Sequence, residues 1–106
     1  MKFAGTWHIT EMELWDEDYL NMEVQAYITV DKRGTGEFQF GLVSGALDGE
    51  VVKDDKTERF EFTWEGNDEC NSASGSGWLE VQSADTLRGR IALHYGDRSM
   101  LTAKRA

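Results

Sequence analysis

Six carboxylates, Glu11, Glu13, Asp16, Glu17, Asp18 and Glu23, fall in a stretch that contains no Lys, Arg or His and that also carries Trp15 and Tyr19. Aromatic side chains supply much of the binding energy at protein interfaces, and uncompensated charge steers the encounter. The segment therefore reads as a face for a protein partner with a basic surface, with Glu13, Trp15, Asp16, Asp18 and Tyr19 at its centre. The competing reading is structural: the two aromatics fold inward over the core and the acids form a solvated cap.

No other group assembles a catalytic signature. A small metal- or His-dependent enzyme using His8 or His94 with rim carboxylates ranks last, because no fixed spacing ties the two imidazoles to each other or to a carboxylate. Ser76 lies between Gly75 and Gly77 without the strand-to-helix elbow of a hydrolase nucleophile. Gly34-x-Gly36 is followed by Gln39 where a dinucleotide fingerprint needs a third Gly, and it opens a strand. Cys70 follows Asp68 and Glu69, whose charge disfavours the reactive thiolate. The acidic loop around residues 67–71 lacks the alternating ligands, central Gly and distal Glu of an EF-hand. The expectation is a non-enzymatic chain with no cofactor and no metal.

These residues sit on a chain that alternates apolar and polar side chains almost throughout. Phe3, Trp7 and Ile9 share one face of a first strand running to Leu14. Trp15 to Met22 opens on Asp16 and spaces Trp15 and Tyr19 four apart, which predicts one or two helical turns, the only helix candidate. Val24, Ala26, Ile28 and Val30 begin a hairpin that returns through Phe38, Phe40 and Leu42. Ser44 to Gly49 is expected to turn the chain into Glu50 to Lys53, which pairs onward with Phe60, Phe62 and Trp64. A long loop, Glu65 to Gly77, then leads to strands around Trp78 to Val81, Leu87 to Leu93 and Met100 to Lys104.

Eight strands joined by short connections leave no room for crossover helices, so the prediction is a single all-β domain, residues 1–106, with antiparallel up-and-down topology. Closing the sheet into an eight-stranded barrel removes its two edges and buries its apolar face. A net charge of −9 disfavours nucleic acid, and no apolar run approaches the roughly 20 residues of a membrane-spanning helix. One cysteine and the lack of an apolar leader point to a cytoplasmic protein. Charge is uneven: residues 86–106 hold one acid and five bases, so the last strands are expected beside acidic neighbours.

Gly5-Thr6-Trp7 near one end of the sequence and Lys104-Arg105 near the other resemble the calycin pattern of lipocalin-like barrels. That resemblance implies that Trp7 plugs the closed end of the barrel and that Arg105 stacks on it, a cation–π contact of about 1 kcal/mol. It also implies a second function: carriage of one small apolar ligand, with Phe38, Phe40, Phe62 and Trp64 lining the interior and Trp15 and Tyr19 near its mouth. Trp15-Asp16-x-Asp18-Tyr19 and Ser74-Gly75-x-Gly77-Trp78 further resemble segments of short bacterial proteins, which implies no particular activity.

Overall fold

A computed structural model describes all of residues 1–106 as one closed barrel of eight antiparallel strands, each paired with its sequence neighbour and the last with the first. In chain order these are β1 (Gly5–Met12), α1 (Glu17–Leu20), β2 (Tyr27–Val30), β3 (Thr35–Phe40), β4 (Val43–Lys53), β5 (Glu58–Asp68), β6 (Asn71–Ser83), β7 (Thr86–Leu93) and β8 (Arg98–Arg105). Closure leaves no unpaired edge, so the expected up-and-down barrel with one short helix after the first strand is the observed architecture.

Twenty buried apolar residues fill the interior in one cluster. Strand periodicity supplies them: Phe38 and Phe40 on β3, Leu47 on β4, Phe60, Phe62 and Trp64 on β5, and Leu87 and Ile91 on β7 all point inward. On β1 a bulge between Ile9 and Glu11 inserts one residue, so Trp7 and Ile9 are followed inward by Met12 rather than by Glu11.

Two segments expected as turns are strand interiors. Ser44–Gly49 lies within β4, and the reversal before it needs only Gly41 and Leu42, with Gly41 at φ 56. Residues 65–77, expected as a long loop, continue β5 to Asp68, turn at Glu69 and Cys70, and return on β6. The reason lies in the core. Gly49 and Gly77 are the cross-strand partners of Phe62 on its two sides. A methyl group at Gly49 would stand 2.6 Å from Phe62 Cβ, and one at Gly77 2.5 Å from its ring. Trp64 is bounded in the same way by Gly45 and Gly75. These glycines mark places where a neighbouring aromatic ring covers the backbone, and not reversals. Val24, expected in the second strand, precedes it and is exposed.

The narrow end is plugged as the resemblance implied. Trp7 is fully buried, its indole N–H donates to the Phe3 carbonyl at 3.0 Å, and the Arg105 guanidinium lies 4.0 Å over its ring. Arg105 also donates to the Ala4 carbonyl at 3.2 Å, tying the last strand to the first. Short polar turns join the strands at this end. The Asp31 carboxylate accepts from Arg33 N, Thr35 N and the Thr35 hydroxyl, bonds that hold its titration below the usual range.

Gly77→Ala is expected to destabilise the barrel by about 1–3 kcal/mol through overpacking against the Phe62 ring and the Arg90 carbonyl. Chemical denaturation of the single variants and of Gly77→Ala combined with Phe62→Leu checks it. The two costs should be less than additive, because the smaller side chain relieves the ring contact, while the part due to the Arg90 carbonyl remains.

Candidate functional site

Three regions compete as the site: the acidic segment, the barrel interior and the outer face of the longest strands. The acidic segment is a lid. The Asp16 carboxylate accepts from Tyr19 N at 3.0 Å and caps α1, whose one turn buries Leu20. The Leu20 carbonyl accepts from Gly41 N at 2.9 Å, and the Tyr19 hydroxyl accepts from Leu42 N at 3.3 Å. Both bonds tie the lid to the β3–β4 turn, and the Tyr19 ring covers Gly41 so closely that no side chain fits there.

Trp15 and Tyr19 therefore face inward, half-buried, with Trp15 packed 5.0 Å from Phe40 and 6.0 Å from Tyr19. What the segment shows to solvent is different. Glu11, Glu13, Asp16, Glu17, Asp18 and Glu23 are all exposed, and none forms a salt bridge: the ion pairs of the chain involve only Glu58 and Glu80. Among them stand Leu14, Met22 and Val24, three of the six large apolar side chains exposed anywhere on the molecule. The apolar anchors expected from the sequence are Trp15 and Tyr19; the apolar side chains that solvent meets are these three instead. The signal was available, because one turn of helix cannot bury every apolar residue of the segment.

Inside the barrel, Phe38, Phe40, Phe62 and Trp64 are at most 4% exposed. Phe40 stacks on Phe38 at 5.9 Å, and Phe38 meets Trp64 edge-on at 5.0 Å. Phe62 stacks on Phe60 at 5.8 Å, which in turn reaches Phe3 at 5.9 Å. The side chains expected to line a cavity are in contact with one another along the barrel. The Trp64 indole N–H is satisfied by the Ala92 carbonyl at 3.2 Å.

Open space lies outside, over β4 to β7. Two grooves of about 590 and 770 Å³ share Asp48, Thr63, Ser76 and Ala92 and form one depression. Small side chains make the floor, since the outward positions of β6 are Ser72, Ser74 and Ser76 before Trp78. Trp78 is fixed at one end by a charged clamp. Arg59 stacks 3.9 Å from its ring, Arg88 lies 5.5 Å away, and the Glu80 carboxylate accepts from both, at 2.6 Å from Arg59 Nε and 2.8 Å from Arg88 Nη2. The Arg59 hydrogen bond, with that of Arg88, outweighs partial burial and holds the Glu80 carboxyl below the usual glutamate range. The last strands do lie beside acidic neighbours here: Arg88 is opposite Glu80.

The remaining candidates stay apart. His8 points outward between Tyr27 and Lys104, whereas His94 follows β7 in the turn and packs 4.1 Å from Tyr95. Cys70 is exposed in the β5–β6 turn. The outer face carries charge on every strand from β4 to β8 and the inner face is apolar, the reverse of a barrel that faces lipid. Comparison of the chain with protein-family models, with curated proteins and with solved structures gave no match in any of the three.

The clamp predicts a pH dependence. Glu80 titrates lower in the folded state than in the unfolded chain, so its contribution is complete above the ordinary glutamate pKa and is lost as pH falls through the folded value. Glu80→Gln should cost about 1 kcal/mol at neutral pH. Denaturation curves of the two proteins should converge only once the pH has fallen below the ordinary glutamate range, through the lowered folded value.

Proposed function

We propose that the protein is a calycin-like, non-enzymatic interaction module that docks a basic, partly apolar protein segment on its lid. The observation that carries this reading is the coincidence, on residues 11–24, of six exposed carboxylates that form no salt bridge with exposed Leu14, Met22 and Val24. An apolar centre rimmed by charge is the usual anatomy of a recognition patch. Leu14, Met22 and Val24 supply apolar contacts, while Glu13, Asp16 and Asp18 select for a basic partner and raise the rate of encounter.

The lid is also built to hold such a patch in place. Asp16 is committed to capping α1 and Tyr19 to the β3–β4 turn, so the exposed side chains project from a braced segment. Bracing lowers the entropy lost on docking. The filled interior weighs against the carrier reading, because a ligand could enter only by displacing packed aromatic rings.

Titration with a synthetic amphipathic peptide of alternating lysine and leucine checks the reading. Backbone amide shifts should concentrate on residues 14–24 and shrink as salt rises from 0.05 to about 0.5 M. The pair Glu17→Lys and Asp18→Lys, which leaves the Asp16 cap intact, should weaken binding at least tenfold. Leu14→Ser with Met22→Ser should weaken it severalfold without altering the salt dependence. Shifts that avoid the lid, or binding indifferent to the charge reversal, would overturn it.

A further inference from the structure

The groove over β4 to β7 presents a row of polar side chains that the fold itself leaves uncommitted. Across the strands, Glu50 faces Glu61, Glu61 faces Trp78 and Trp78 faces Arg90. In the next row Asp48 faces Thr63, Thr63 faces Ser76, and Ser76 faces Ala92. Two glutamates placed directly opposite each other repel, and no cation is paired with either. Arg90, two strands away, has no carboxylate partner and makes no side-chain hydrogen bond. Next to them Glu80, Arg59 and Arg88 are fully engaged with one another and hold the Trp78 indole at the groove's edge.

We propose that this groove is a binding site for a neutral oligosaccharide. The walls carry both signs, with Asp48, Glu50, Glu61 and Glu65 on β4 and β5 against Arg90 on β7 and Arg98 at the start of β8. An anionic ligand would be opposed by the four acids, and a cationic one would meet Arg90 and Arg98 on the other side. A sugar hydroxyl donates to a carboxylate and accepts from a guanidinium, so a neutral polyhydroxylated chain satisfies both walls at once. The serine and threonine hydroxyls of the floor serve it in the same way. Its C–H faces need flat apolar partners, and the groove has an aromatic at each end.

Trp78 is the first of these, already immobilised by its clamp. Tyr95 is the second, in the β7–β8 turn, 97% exposed and held at φ 63, a conformation unfavourable for a bulky residue. A strained, exposed aromatic on the rim of a groove is the kind of feature that function retains at a cost to stability. Arg90 faces Trp78, and Tyr95 stands in the turn beyond Leu93, past about 10 Å of extended β7 backbone. That is room for about two sugar rings. The site is on the flank of the barrel, separate from the lid.

Amide and indole N–H spectra of the intact protein, recorded with cellohexaose, maltohexaose and chitohexaose, test the proposal, with hexalysine and a heparin hexasaccharide as charged controls. At least one neutral hexasaccharide should shift the Trp78 indole and the amides of Ser76 and Arg90, with an affinity unchanged between about 0.05 and 0.5 M salt. Trp78→Ala should weaken that binding at least tenfold. Ser76→Arg, an outward substitution that fills the floor and leaves the core untouched, should abolish it with the spectrum of the fold retained. No shift at these residues with any neutral sugar at millimolar concentration would overturn the proposal. Tighter, salt-sensitive binding of either charged control in the groove would overturn it equally.

Discussion

The fit of large aromatic rings against glycine backbone inside a narrow barrel is the constraint on which the rest of this structure depends. Eight strands enclose a space just wide enough for side chains to fill. Here Trp7, Phe38, Phe40, Phe60, Phe62 and Trp64 occupy it, and Gly45, Gly49, Gly75 and Gly77 on the adjoining strands give the last two of them room. A side chain at any of those glycines would collide with a ring or with the facing backbone. The same fit explains the length of β4, β5 and β6, whose small residues hold the ladder together where the composition suggests loops.

Once the interior is filled, both ends have to be closed by side chains rather than left open. At one end Trp7 is pinned under Arg105, at the other Trp15 and Tyr19 lie over Phe40 and Gly41. The side chains left free for contact with other molecules are therefore on the outside. The chain spends two of its four tryptophans and all five of its phenylalanines on the core and the plugged end, half-buries Trp15 in the lid, and leaves Trp78 on the outer face under a clamp of two arginines and a glutamate. The acids follow the same division. Glu80 is consumed in the clamp, whereas those of residues 11–23 and of the outer groove remain unpaired.

Much of this was legible from the residues. Alternation with period two identified the strands and the inward rings, because a one-residue slip would turn every one of them to solvent. The ends of the chain announced the Trp7–Arg105 contact. Asp16 announced the lid helix, although one turn forms where two were possible. What misled was glycine. In Ser72-Ala73-Ser74-Gly75-Ser76-Gly77 the small residues alternate between two demands, the odd positions yielding to Trp64 and Phe62 inside and the even ones forming the groove floor outside. Local sequence cannot separate a glycine that turns the chain from one that is overlaid by a ring, since only the neighbouring strand decides. The groove was hidden for the same reason: its rows join residues of four strands, from Glu50 to Arg90, that only the register brings together.

The central claim is that the barrel is solid, the condition on which the proposed surface binding rests. Fluorescence of an environment-sensitive apolar dye such as anilinonaphthalene sulfonate, added to the native protein and followed by energy transfer from tryptophan, tests it most directly. A filled interior predicts no binding inside the barrel, so emission should stay at the level of free dye until the protein is unfolded or partly unfolded by acid. Saturable emission at neutral pH, with Trp64 quenched and the spectrum of the fold intact, would show a cavity where packed rings are described and would contradict the account.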